Sequence, residues 1–377
     1  MGTATLTPIL GLLASEFPDV PLTMIKMLVT LPSIEIMMVC LLSGWLATKV
    51  SKKKLMFIGL ILYAIGGLGG GVVNSYMGLM LFRGIIGLGI GLLIPLVPAI
   101  ITELFEGNER SRMLGLSSAI ATLGGVLATI FSGVLAARSW RYSFLLYLIA
   151  IPVFVAVFIG LPDLAKPGEK ETDKMDEKVK VKLPKEVFGL ATEGIIFTML
   201  NVVLTTSLAM FINAEGMGSS QSAGLAISAI FLGSVITGTL FSKIYKTAKN
   251  RSMLLVSILY CVSYWIIGYS NQLILVFMGA ILLGFGYGIL NPYLLLKAGL
   301  AVSQSANTAA MAVISSSFFL GQFMAPIMFG LIGDITGNTE SRFGFRIIAI
   351  LLTVGAAMRI IRTFNSSKKE INEAIVD

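Results

Sequence analysis

The sequence predicts an all-α membrane protein of about 12 transmembrane helices in two pseudo-symmetric six-helix bundles, and three observations support this. Hydrophobic residues make up 56% of the chain and charged residues only 13%, with a mean hydropathy of +0.89. Ordinary soluble domains carry about 25% charged residues, so water is not the main solvent here. Apolar stretches recur along all 377 residues, and most approach the roughly 18–20 residues needed to cross about 30 Å of hydrocarbon as a helix. In lipid the backbone polar groups have no water partners, so such stretches are helical; the alternating pattern of a transmembrane β-barrel is absent. Finally, the second half of the chain repeats the first.

The apolar segments place α1 at 2–14, α2 at 23–48, α3 at 54–73, α4 at 77–104, α5 at 113–137 and α6 at 143–161. After a charged stretch come α7 at 187–214, α8 at 221–245, α9 at 252–269, α10 at 273–297, α11 at 306–333 and α12 at 344–364. This gives an N-terminal bundle over 1–161, a linker over 162–186, a C-terminal bundle over 187–364 and a tail over 365–377. Connections as short as Asn74–Ser75 and Asn271–Gln272 imply antiparallel neighbours. The first helix is too short: 2–14 reaches only roughly 20 Å as a helix. Met1 runs directly into apolar residues with no basic flank, which argues against a signal peptide. The expectation is that α1 is incomplete because the chain starts late.

Orientation follows the loop lysines and arginines. Of the 28 basic residues, 22 fall on one side: Lys49, Lys52–Lys54, Arg110, Arg112, the linker lysines, Lys243, Lys246, Lys249, Arg251, Lys297, Arg359, Arg362, Lys368 and Lys369. The other side has Lys26, Arg138, Arg141, Arg342 and Arg346, and Arg83 lies within α4. Both termini and the linker are therefore expected in the cytoplasm of a multi-pass cell-membrane protein. The linker balances seven lysines with seven acids and reads as a flexible connection. The formal charge of +8 thus follows topology and does not imply nucleic acid.

The chemistry available is narrow. There is no histidine, and Cys40 and Cys261 lie in different predicted helices. Histidine metal sites, Ser-His-Asp triads and a disulfide framework are excluded. No G-x-x-x-x-G-K-[ST] phosphate loop occurs, so the energy is expected to come from an ion gradient or from the substrate itself, with no cofactor. No enzyme is expected.

The repeat is the strongest organisational signal. The run from Gly44 to Lys52, with Thr48 and Lys49 at its centre, matches Gly238 to Lys246 at an offset of 194. Gly87, Gly89, Gly91 and Pro95 match Gly284, Gly286, Gly288 and Pro292 at an offset of 197, as Gly124, Ala128 and Gly133 match Gly321, Ala325 and Gly330. An even number of spans per repeat keeps the orientation, so the halves are parallel repeats with a substrate site between them near the midplane.

At these residues the chain resembles the major facilitator superfamily. The family's α2–α3 loop, roughly G-x-L-A-D-R-x-G-R-K, reads Gly44-Trp45-Leu46-Ala47-Thr48-Lys49-Val50-Ser51-Lys52-Lys53, with Thr48 for the aspartate and Ser51 for the second glycine. The α4 pattern R-x-x-x-G-x-G is Arg83, Gly87 and Gly89. The α5 pattern of drug/proton antiporters is similar at Gly115, Gly124 and Gly133, with Ala128-Thr129 in place of its Gly-Pro. Ser139-Trp140-Arg141-Tyr142-Ser143-Phe144 also looks like this multidrug efflux branch.

Two intramembrane charges are candidates for proton coupling. Glu35 stands near the middle of α2, where an ionised acid costs about 2.5–3.5 kcal/mol on insertion scales; it is either a coupling acid or a carboxyl held neutral by hydrogen bonds. Arg83 matches the family arginine linked to coupling, or else snorkels to the outer headgroups. Thr198, Asn201 and Thr205 share one face of α7, Tyr287 and Asn291 one face of α10, and α11 adds Ser315 and Gln322. These polar faces point inward, to a substrate cavity or to neighbouring helices. The resemblance implies a cytoplasmic gate of Gly44, Thr48, Lys49, Lys52, Glu103, Glu109, Arg110 and Arg112, weakened by the missing aspartate at Thr48. Gly87, Gly89, Gly91, Gly115, Gly124, Ala128, Gly133, Gly284, Gly286, Gly288, Gly321, Pro326 and Gly330 are expected to let helices pack closely.

The functional expectation is a secondary transporter exporting small amphiphilic or cationic compounds in exchange for protons, working as a monomer in the lipid bilayer. A permease for a sugar or nucleoside and a non-transporting membrane sensor are the alternatives.

Overall fold

The computed structural model describes residues 5, 6, 9, 12, 13, 16–20, 22–136, 138–161, 183–218, 220–338 and 340–376. Most of predicted α1, and hence its expected incompleteness, lies outside the described residues, as does 162–182 of the linker. The described residues are helical with no strand. The helices run α2 Leu22–Leu46, α3 Lys52–Gly69, α4 Tyr76–Leu104 and α5 Gly107–Ala136. A 3₁₀ segment, Trp140–Ile149, leads into α6 Ala150–Gly160. Then follow α7 Lys185–Ala214, α8 Ser220–Ala248, α9 Ser252–Tyr269, α10 Leu273–Leu300, α11 Asn307–Thr336 and α12 Ser341–Val376. Among the described residues nine helices are long and apolar enough to cross a membrane. α12 continues to Val376, through the stretch expected as the tail.

Local chemistry sets the ends. The Ser75 hydroxyl accepts a hydrogen bond from the Gly78 amide at 3.1 Å and starts α4. Ser139 accepts from the Arg141 amide at 3.4 Å and starts the 3₁₀ segment. Gly337, at φ +67°, takes the left-handed turn that ends α11.

In hydrocarbon, helices gain no hydrophobic drive toward each other, and association depends on close contact. The glycines of α4 supply it on two faces. A Cβ at Gly91 would meet Val39 and the Ile36 carbonyl of α2, while one at Gly89 would meet Tyr63 and Gly59 of α3. α10 repeats this at an offset of 197: Gly284 and Gly288 lie on the Ile230 and Ser234 carbonyls of α8, and Gly286 on the Tyr260 ring of α9. The repeat seen in the sequence is therefore a repeat of contacts.

The chain has two compact units. One comprises Met1–Glu106, Leu123–Ile196 and Leu294–Phe323; the other comprises Gly107–Thr122, Phe197–Tyr293 and Met324–Asp377. Each unit borrows helix ends from the other sequence repeat. In the first, Gly44 of α2 sits against Ala309 and Ala312 of α11. In the second, Gly115 of α5 sits on the Gly238 carbonyl of α8. These crossings are repeat equivalents: Gly44 corresponds to Gly238, and Gly115 to Ala312.

Gly284→Ala is expected to lower the thermal midpoint of the purified protein, since its Cβ would meet backbone and overpacking costs about 1–3 kcal/mol. Gly355→Ala, with nothing within 4 Å of the new Cβ, is expected to leave the midpoint unchanged. Thermal unfolding in detergent, read for both variants, checks the pair.

Candidate functional site

Arg83 does not snorkel. It is only 2% exposed, with Nε donating to the Leu28 carbonyl of α2 at 3.0 Å and a guanidinium nitrogen donating to the Tyr147 hydroxyl at 3.2 Å. Around it, Leu28, Tyr76, Leu79, Ile86, Trp140, Phe144 and Tyr147 form a buried cluster. Tyr63 of α3 packs edge-on against Tyr147, their ring centroids 5.4 Å apart. Arg83 thus ties α4 to α2 and to the 3₁₀ segment.

Glu35 occupies the notch left by the same helix. A Cβ at Gly87 would lie 2.5 Å from its Oε2, and one at Gly84 would lie 3.7 Å from its Oε1. The missing side chains of α4 make room for the carboxyl. Glu35 is half-buried, and no hydrogen bond or ion pair to it occurs among the described residues. The two candidate charges therefore lie against the same helix without pairing with each other.

The C-terminal repeat has Ala229 and Ala280 at the positions equivalent to Glu35 and Arg83. It carries neutral polar groups instead. The Asn201 side chain lies beside the Tyr260 hydroxyl, Tyr260 neighbours Tyr287, and Asn291 follows Tyr287 by one turn of α10. This chain runs from α7 through α9 to α10. Thr198 and Asn201 are buried, and Thr198 Oγ1 and Asn201 Nδ2 have no hydrogen-bond partner among the described residues. Buried polar atoms are normally satisfied, so this pair is suited to a ligand or water. Thr205 is less available, because its hydroxyl bonds the Asn201 and Val202 carbonyls of its own helix at 3.0 Å. Ser315 is buried, whereas Gln322 is exposed.

At the lysine-rich ends the structure builds a lock, only partly from the predicted residues. Lys52 pairs with Glu103, the two side chains 9% and 10% exposed. Removing one partner of such a pair leaves a buried charge and typically costs about 3–5 kcal/mol. The other Glu103 oxygen accepts from Gln304 at 3.2 Å. Asn307, at the start of α11, donates to the Ala99 carbonyl at 3.0 Å and to Thr102 Oγ1 at 2.7 Å, both on α4. In the second unit Ser242 of α8 donates to Asn108 Oδ1 of α5 at 2.7 Å.

Other expectations are corrected. Thr48 bonds the Trp45 carbonyl of its own turn at 2.7 Å, and Lys49 lies over the Trp45 ring at 4.0 Å. Glu109 and Arg112 are exposed and Arg110 is half-buried, so the lock takes its acid from Glu103. Gly133, Pro326 and Gly330 are exposed, and a Cβ at Gly330 would meet nothing within 4 Å. All three lie on exposed faces of α5 and α11. Gly124 and Ala128 are buried, and Gly321 lies on the Ile195 carbonyl of α7. The sequence reading passed over Asn108, Ser242, Gln304 and Asn307. Asn307 falls inside the predicted α11, and nothing in its sequence setting marks its contact with α4. It also passed over Glu193, a second acid within an apolar span.

The Major Facilitator Superfamily family model matches residues 1–296. The chain belongs to that superfamily. It is a multi-pass secondary transporter of small molecules, not an enzyme. The quinolone resistance protein NorA of Staphylococcus aureus (strain MSSA476) is 24% identical over 307 residues, covering 78% of this chain and 76% of that protein. The multidrug transporter protein MdtP of Bacillus subtilis (strain 168) is 27% identical over 120 residues, covering 32% of this chain and 22% of that protein. The human organic anion transporter MFSD10 (TETRAN) superposes with a TM-score of 0.75 at 16% identity over 93% of this chain and 95% of that one. A double-Trp XylE mutant superposes with a TM-score of 0.76 at 15% identity over 95% and 91%. The two likenesses show the fold.

Asn307→Ala is expected to loosen the α4–α11 contact. Alkylation of a cysteine introduced at Ala306, which is 6% exposed, should become several-fold faster in the variant; an unchanged labelling rate would remove Asn307 from the lock.

Proposed function

We propose that this transporter exports small amphiphilic or cationic compounds in exchange for protons, by alternating access. The observation that carries this reading is Glu35: a half-buried carboxyl, deep in an apolar span, seated against Gly84 and Gly87 with no ion-pair partner among the described residues. An acid so placed takes and releases a proton at lower cost than one fixed in a salt bridge, and its ionised form attracts a cation. The similarity to NorA and MdtP, whose names state quinolone resistance and multidrug transport, favours export of such compounds. In this reading the lysine-rich ends, both termini and the linker face the cytoplasm of the cell membrane. The Lys52–Glu103–Gln304 and Asn307 contacts then hold the cytoplasmic side shut between cycles, and the protein works as a monomer.

A second reading, a permease for a polar metabolite such as a sugar or nucleoside, is favoured by the neutral chain of Asn201, Tyr260, Tyr287 and Asn291. Such amides and hydroxyls match a hydroxyl-rich solute.

Inverted vesicles with an imposed proton gradient test the choice. A cationic dye is expected to accumulate when the lumen is acid, and Glu35→Gln is expected to cut the initial rate at least tenfold while the protein inserts normally. Accumulation unaffected by Glu35→Gln would remove Glu35 from coupling. Failure of any dye to accumulate, with uptake of a labelled sugar or nucleoside instead, would favour the second reading.

A further inference from the structure

Arginines on the face opposite the lysine-rich ends occupy repeat-equivalent places that neither coupling nor the lock explains. Arg141, at the start of the 3₁₀ segment, donates to the Gly71 carbonyl at 3.3 Å, the Val73 carbonyl at 2.8 Å and Asn74 Oδ1 at 2.8 Å. It also lies 3.8 Å from Glu16 and stacks on Trp140, 4.3 Å from the ring centre. In the other repeat Arg346, near the start of α12, donates to the Gly268 carbonyl at 2.9 Å and stacks on Tyr269 at 4.4 Å. Gly71 and Gly268 are 197 residues apart, the offset that relates the glycines of α4 and α10. Arg342 supplies the acid contact, pairing with Glu215 at 2.6 Å while lying 5.3 Å from the Phe211 ring centre. One arginine serves the first repeat, and two divide the task in the second.

The chemistry explains the placement. The last carbonyls of a helix have no partner within it, and a cation is favoured at that end. Gly71 and Val73 follow α3, and Gly268 lies in the last turn of α9. The planar guanidinium bonds carbonyls along its edge while its face rests on an aromatic ring, which a lysine cannot do at once. Arg342 holds the Glu215 carboxyl below its usual range through their hydrogen bond, so the pair is ionised at neutral pH. Glu16 precedes α2 and Glu215 closes α7. Arg141 therefore joins the end of α3 to the 3₁₀ segment, and Arg346 with Arg342 joins the ends of α9 and α7 to the start of α12.

We infer that Arg141 and Arg346, with Arg342, are positioning residues that fasten the outer ends of each six-helix repeat so that the repeat moves as one body during transport. The inference rests on the alternating-access reading. A repeat held at one end only would dissipate motion started at the lock. Loss of a clasp should therefore slow turnover while leaving substrate affinity intact.

The test uses the full-length protein carrying Arg141→Ala or Arg346→Ala, with Arg141→Lys and Arg346→Lys as milder variants should either alanine variant fold poorly. Spin labels at Val72 and Tyr142, or at Asn271 and Ser341, report distances within one repeat and need no substrate. The expected result is a broadened distance distribution in the repeat that lost its clasp and an unchanged one in the other. With it should come a fall of about tenfold in maximal dye transport and a KM within twofold of the parent. Lysine should restore transport more fully at Arg346, which makes one carbonyl bond, than at Arg141, which makes two. Sharp distances in folded variants would overturn the inference whatever is transported. Broadened distances with full transport velocity would show that the clasps are dispensable for motion and overturn it too. Absence of transport in the parent protein itself would count against the proposed substrate class instead, with the distance result still deciding the clasp.

Discussion

Close approach of backbone to backbone is the constraint on which the rest of this structure depends. Inside a membrane no apolar surface is removed from water when helices meet, so contact and polar bonds must hold the bundle. Gly89 on α3, Gly91 on α2, and Gly284 and Gly288 on α8 each place a helix where a methyl group would collide with its neighbour. The same thinness leaves the notch for the Glu35 carboxyl at Gly84 and Gly87. Packing and the candidate coupling site are thus two consequences of one glycine pattern. The pattern recurs at Gly44 on Ala312 and at Gly115 on Gly238, where helices of different repeats cross.

The two repeats share a scaffold and divide the chemistry. The first has Glu35 and Arg83 where the second has Ala229 and Ala280, and the second carries the neutral Asn201, Tyr260, Tyr287 and Asn291 together with Glu193 in α7. Arg83 binds a backbone carbonyl and a tyrosine, so its charge is spread over neutral dipoles and Glu35 stays unpaired. A salt bridge between them would fix the proton state of the acid.

Periodicity, loop charge and internal repetition made most of the fold legible in the sequence. Glycine spacing in α4 and α10 marked these helices for close packing, because a missing side chain acts locally, but did not name the helices they would meet. The lock was only half legible. The resemblance offered Lys49 and Lys52 as partners for Glu103 and Glu109, and the structure pairs Lys52 with Glu103, 51 residues away. Asn307 and Gln304 look like ordinary residues of a turn until α4 is brought beside them. Gly133 and Gly330 carry the same motif as Gly124 and Gly321 yet face outward, since spacing alone does not say where a helix parts from its neighbour. Arg346 reads in sequence as a loop charge and Arg141 as a loop charge within the Ser139–Phe144 run, and their clasps appear once the ends of α3 and α9 are in place.

The central claim is that helices of different repeats meet at the lysine-rich ends and must part for transport. Its most direct test is a reversible tether across the Ser242–Asn108 contact, with Asn108→Cys and Ser242→Cys introduced after Cys40 and Cys261 are replaced by alanine. Oxidation is expected to cross-link the pair and stop transport, and reduction to restore it. A fully cross-linked protein that transports at the reduced rate constant would contradict the account.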